Sequence, residues 1–143
     1  MSSSGAARAL LNTAETFTAQ QTFGTGVTPM GITMNGALAT KEIVSTTTAV
    51  TVAYPVVDTD EIVLADATAG AFPVTLPAAN ATPGRRITVK KIDASINAVT
   101  VESAGGTIDG AASVALTAQN WTVEVVSGGT NWWVASQVAI GIL

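Results

Sequence analysis

The sequence predicts an all-β protein, an antiparallel β-sandwich or jelly-roll-like module preceded by an extended N-terminal arm or stem. Three observations carry that reading. Alternating or wholly apolar runs of about five residues recur after Lys41, turn-forming residues separate them, and no stretch there sustains a helical period. Short strands at such spacing are the pattern of sandwiches and barrels. Residues 1–40 hold only Arg8 and Glu15 as charges, while residues 41–66 are strongly acidic, so the composition breaks near Lys41. The expected organisation is an anchoring arm or stem over 1–40 and a β-sandwich-like module over 41–143.

In the arm, Ser2, Ser3 and Ser4 are N-cap types ahead of ARALLNTA, which predicts a short helix over 6–14. TFTAQQTF, GVTPMGITM and ALAT then read as extended pieces, with Asn35-Gly36 a hairpin turn signal. Such pieces bury no face alone. Phe17, Phe23, Met30, Ile32 and Met34 are therefore expected to pack against neighbouring chains, as an arm or as a stem built by several copies.

Strands are expected at 50–54, 61–65, 72–76, 86–92, 98–102, 113–117, 121–126 and 132–136. Tyr54-Pro55, Ala69-Gly70, Pro83-Gly84, Gly105-Gly106, Asp109-Gly110 and Gly128-Gly129 supply the turns between them. In RITVKKI, Ile87 and Val89 share one face and Arg86, Thr88 and Lys90 the other; in NAVTVE, Val99 and Val101 oppose Thr100 and Glu102. EIVLA, by contrast, is apolar on both faces, and Trp132 and Trp133 must point in opposite directions in a regular strand. An apolar face thus looks outward, and Val63, Trp132, Trp133, Ile140 and Leu143, the last two in the tail VAIGIL, join the candidate interface residues.

The 143 residues include six basic and ten acidic side chains, 11% charged against roughly 25% in ordinary soluble domains. A chain so poor in charge stays in solution most readily when other chains cover its surface, which makes an assembly component the first expectation. The absence of Cys and His removes disulfides, thiolate or imidazole metal sites, thiol nucleophiles and the commonest general base. A net charge of −4 argues against nucleic acid as a partner. No apolar run is long enough to cross a bilayer as a helix, and MSSSGAARALLNTAET has no signal-peptide core, so cytoplasmic synthesis without membrane insertion is expected.

Carboxylates are the remaining catalytic types. Asp58, Asp60, Glu61 and Asp66 form the densest group and would be the pair-forming acids of a carbohydrate depolymerase. DTDE instead reads as a solvated loop, and its spacing fails the EF-hand pattern because Ile62 and Val63 follow. Gly24-x-Gly26 lacks a third fingerprint glycine, no glycine precedes a lysine, and no SxxK occurs. Arg85, Arg86, Lys90 and Lys91 have no interleaved aromatics and suit a solvated face or pairing with the acidic 41–66 segment of an adjacent subunit. No catalytic residue, cofactor site or metal site is expected.

The ordered landmarks VTLPAA, PG before a strand, KKIDAS, NAVTV, TIDGA, LTAQ and SGGTNWWV span residues 59–136. Together they resemble a β module of tail-fibre, spike and other virion surface proteins of tailed bacteriophages, and ETFTAQQTFGTGVT and GITMNGALAT look like the stem segments preceding it. The resemblance implies a non-enzymatic virion component on the outer surface of the particle. It implies a homotrimer, with phage capsid or tail proteins as partners. Fibres of this kind are generally longer, so the sharper expectations are a small capsid decoration or cement protein or a short fibre; the alternative is a receptor-binding tail-fibre tip that meets a host surface receptor.

Overall fold

The computed structural model describes residues 44–139. They form nine strands and no helix: β1 (Thr47–Val50), β2 (Tyr54–Pro55), β3 (Ile62–Ala65), β4 (Phe72–Leu76), β5 (Arg86–Lys91), β6 (Val99–Ser103), β7 (Ser113–Leu116), β8 (Thr122–Ser127) and β9 (Trp132–Val138). The expected arm and stem, and the helix over 6–14, lie outside the described residues.

The strands make a five-stranded sheet in the order β1-β3-β5-β8-β9 and a four-stranded sheet in the order β2-β4-β6-β7. The expected antiparallel arrangement is corrected here, because both sheets are mixed. β1, β3 and β5 are parallel, as are β2, β4 and β6, while β5/β8, β8/β9 and β6/β7 are antiparallel. The chain therefore winds as a coil. Each of β1, β3 and β5 in the larger sheet is followed by a strand of the smaller, and β2 and β4 are themselves the crossovers that the parallel pairs require. After three such coils, β7 turns back along β6, and β8 and β9 complete the larger sheet.

Winding also corrects the strand expected at 50–54. Val50 ends β1 facing the core of the larger sheet, and Tyr54 begins β2 in the smaller one. Thr51 and Val52 turn the corner between them, which leaves Val52 68% exposed.

One core lies between the sheets. Val50, Val63, Ala65, Ile87, Val89, Val123, Val125 and Trp132 enter it from the larger sheet; Phe72, Val74, Leu76, Val99, Val101 and Leu116 enter from the smaller. Alternation within β5 and β6 is as expected, with Ile87, Val89, Val99 and Val101 fully buried. Small β-branched residues suit these strands because their stiff side chains pack on a pleated surface with little rotamer entropy to lose. Trp132 is the largest fully buried side chain, and its indole N–H donates to Pro77 O at 3.0 Å, so its burial leaves no polar group unpaired.

Ile108 and Ala111 exchange backbone hydrogen bonds of 2.8 and 2.9 Å around Asp109 and Gly110, whose φ angles of 49° and 82° make a type I′ turn. At Gly106 (φ 93°) a Cβ would lie 2.5 Å from Thr130 O, so this close approach of two loops admits only glycine.

Candidate interaction surface

The charged residues singled out in the sequence fall into three separate settings. Asp60 is buried, not solvated as the DTDE loop was expected to be. Thr48 Oγ1 donates to its Oδ1 at 2.5 Å, and Tyr54 OH and Val57 N donate to its Oδ2 at 2.9 and 2.8 Å. Burial alone would raise its pKa, but these three donors and the nearby Arg85 charge outweigh it and hold the carboxyl below the usual range. The same bond, with desolvation, pushes the Tyr54 phenol above its ordinary value. Asp60 is thus a hub that fastens β1, β2 and the 57–60 turn together. Asp58, by contrast, has a side chain 97% exposed, and Asp66 Oδ1 accepts the Thr68 amide at 2.9 Å in a local turn.

Arg85 reaches into that same turn, its Nη2 donating to Val57 O and Asp60 O, with Asp58 3.8 Å from Nη1. Arg86 pairs with Glu124 at 2.7 Å across β5 and β8. Of the basic run, Arg85 meets the acidic 41–66 segment within one chain, whereas Arg86 pairs outside that segment. An open cleft of about 760 Å³ lies here, lined by Asp58, Asp60, Glu61, Arg85, Arg86 and Glu124 among others, and its charges are largely engaged with each other.

The third setting overturns the solvated face expected for Lys91. Lys91 is fully buried, and its Nζ meets Asp93 Oδ1 at 2.6 Å and Asp93 O at 3.1 Å. Asp93 Oδ2 accepts Ala67 N at 2.7 Å, and its Oδ1 also takes Ser95 N at 2.9 Å and the Ser95 hydroxyl. Asn97 Nδ2 donates to Ala67 O at 2.9 Å. Burial opposes the Asp93 charge, yet the donors, Lys91 foremost, hold its pKa far below the ordinary carboxylate value. The cluster joins the corner of the third coil to that of the second. KKID reads as surface charge, and only the two-residue offset of Lys91 from Val89 on the inward face of β5 signals burial.

The outer faces of the two sheets differ. Across the larger sheet the register aligns Arg86, Val126 and Trp133 in one row, Thr47, Ile62, Thr88, Glu124 and Ser136 in the next, and Ala49, Leu64, Lys90, Thr122 and Val138 in a third. Ile62, Leu64 and Val126 are half-buried, and Trp133 and Val138 are 51% and 49% exposed. The corresponding rows of the smaller sheet are Pro55, Thr75, Glu102 and Ser113, and Pro73, Thr100 and Ala115. The outward apolar residues of EIVLA and of the tryptophan pair are on the larger sheet, but the face is mixed, because Arg86, Lys90, Glu124 and several threonines lie in the same rows. Trp133 packs against Gly128, where a Cβ would lie 2.4 Å from its indole nitrogen.

Of the candidate interface residues, Trp133 is on this outer face. Val63 and Trp132 are 0% exposed in the chain's own core, because they are the inward members of their alternations, so they support the face from beneath and do not present themselves to a partner. Phe17, Phe23, Met30, Ile32, Met34, Ile140 and Leu143 lie outside the described residues. The outward residues Leu64, Val126 and Val138 were not singled out in the sequence, although the alternation of β3, β8 and β9 carries the signal. Among the described residues no group of three or more acidic side chains converges to hold a metal ion, and no helix is long and apolar enough to cross a membrane. Comparison with protein-family models and with curated proteins gave no match.

Proposed function

We propose that this chain is a non-enzymatic structural component of a tailed-bacteriophage particle, a homotrimeric capsid decoration or short fibre protein attached through residues 1–40. The observation that carries the reading is the contrast between the two outer faces. The smaller sheet presents Thr, Ser, Pro, Ala and Glu, whereas the larger sheet sets the bulky apolar side chains Ile62, Leu64, Val126, Trp133 and Val138 among Arg86, Lys90, Glu124 and threonines, a mixture suited to a polar-rimmed contact with other chains. Covering a side chain such as Val138, now about half exposed, contributes on the order of 1 kcal/mol, and symmetry multiplies each such contact in an oligomer. The resemblance of residues 59–136 to virion surface modules supplies the setting.

Quantitative mass spectrometry of purified particles, against the major capsid protein, tests this. Hundreds of copies place the chain on the head as a decoration, and a few trimers place it at the tail or a vertex. Absence from the particle refutes the proposal. The exposure of Trp133 supports a second reading, a receptor-binding tip, which predicts that the purified protein competes with phage adsorption.

A further inference from the structure

The two free edges of the larger sheet match each other. Ile62 N donates to Thr46 O and Asp66 N to Val50 O, both at 2.9 Å, so the alternation of a parallel ladder turns the backbone groups of Thr46, Thr48 and Val50 toward β3. Those of Thr47 and Ala49 then face away, with no partner among the described residues. At the other edge, Trp132 exchanges hydrogen bonds with Thr107 O and Asp109 N (2.8 and 3.0 Å), and Val134 N donates to Asp109 Oδ1 at 3.0 Å. The 107–109 segment thus shields the first half of β9. Past the bulge at Ala135, the next outward residue is Gln137, whose backbone groups have no partner among the described residues.

Neither stretch carries the devices that usually blunt an edge. Thr47–Val50 and residues 136–138 contain no charge and no proline, whereas β2, the edge of the smaller sheet, is two residues long and has Pro55. Valines flank the β1 edge: Val44 is 75% and Val52 68% exposed, and Val138 lies on β9. Direction also agrees. β8 is antiparallel to β5 and β9 to β8, so β9 runs parallel to β1, and a rotation axis along the strands preserves that direction between copies.

We propose that the partner at the β1 edge is a second copy of this chain, the end of its β9 adding in parallel to β1, so that head-to-tail pairing closes the sheets of the oligomer into a ring. In this register Gln137 lies opposite Thr48, its N–H donating to Thr47 O and its carbonyl accepting Ala49 N–H. Ser136 then sits beside Thr47 and Val138 beside Ala49, all on the outer face. The inference rests on the oligomeric reading above and names the contact by which the oligomer closes.

The chain has no cysteine, so introduced pairs report cleanly. Full-length Thr47→Cys/Ser136→Cys, and separately Ala49→Cys/Val138→Cys, are oxidised mildly and run without reductant, with light scattering on the unmodified protein. The expected result is that most of either double variant shifts to covalent trimer while each single variant stays monomeric on the gel. A trimer by light scattering in which neither pair cross-links overturns the edge contact and leaves the trimer standing. Cross-linking of Thr47→Cys alone shows β1 against β1 and overturns it as well. A monomer by light scattering refutes both the trimer and this contact.

Discussion

The Lys91–Asp93 pair gives the sharpest stability prediction, because the two partners are unequally supported. In Asp93→Asn one end of the new amide must be an NH2 group, which faces either Lys91 Nζ and the Ser95 amide or the Ala67 amide, donor against donor. Lys91 is then left charged and fully buried without a carboxylate. Breaking a buried pair in this way costs about 3–5 kcal/mol. Lys91→Met removes the cation instead, and Asp93 keeps the Ala67 amide, the Ser95 amide and the Ser95 hydroxyl, so the cost is expected to be smaller, about 1–3 kcal/mol. Urea unfolding of the full chain, followed by tryptophan fluorescence, measures both. With a slope of about 1.5 kcal/mol per molar, Asp93→Asn lowers the midpoint by about 2–3 M. The acid side checks the same pair. The folded Asp93 pKa lies below the unfolded value, so the unfolded chain binds the proton first, and stability is full above about pH 5 and falls as the pH drops through about 4 and lower. Asp93→Asn flattens that fall in part, and Asp60, whose pKa is also lowered, contributes to what remains. A Lys91→Met cost equal to or above that of Asp93→Asn, or costs below 1 kcal/mol for both, would refute the reasoning.

Tyr54 is the only tyrosine, so the ultraviolet titration of the native protein reports one phenol. Its midpoint is expected above 10 and to fall toward 10 in Asp60→Asn, where the carboxylate it donates to is gone. Trp132→Ala should cost about 3–5 kcal/mol in the same urea assay, because the site is fully buried and the indole is also lost as a donor to Pro77 O. Gly128→Ala should displace the Trp133 indole and shift its fluorescence while far-ultraviolet circular dichroism is unchanged, since only a surface side chain blocks the new methyl.

Most of the strands were legible in the sequence because each half-buried strand writes its own alternation: RITVKK places Ile87 and Val89 inward however it is paired. Pairing direction was not legible. A period of two is the same in parallel and antiparallel ladders, and links that look like hairpin turns are corners of a coil, as at Ala69 and Gly70 between β3 and β4. The Asp109-Gly110 turn was readable because its two positive φ angles demand those residue types. The Lys91–Asp93 cluster was hidden by composition, since a lysine beside an aspartate in a charged run is most often solvated. Its burial follows only once β5 is known to be covered on its inner face to its last residue.

Mixed pairing has a consequence for assembly that an antiparallel sandwich would lack. In a coil each turn donates one edge to the next, so the first coil presents an open parallel edge at β1 unless something covers it. The last strands do not repeat the coil; β7, β8 and β9 double back and the 107–109 segment shields β9 through Val134. Among the described residues, the asymmetry leaves one uncovered edge at each end of a single sheet and restricts both to a few residues. Two such short edges are too small to hold a complex alone, since stable interfaces bury on the order of 800 Å² per partner. In the proposed ring they would set register and direction, while the exposed valines and the outer face around Trp133 would supply the apolar area. Introducing a charge on the outer face, as in Trp133→Glu, should therefore weaken the proposed trimer without unfolding the chain, whereas Gln137→Pro, which removes one edge donor, should loosen the proposed ring closure at unchanged apolar area. Light scattering across a dilution series separates the two, and equal insensitivity of the trimer to both substitutions would show that neither surface holds it.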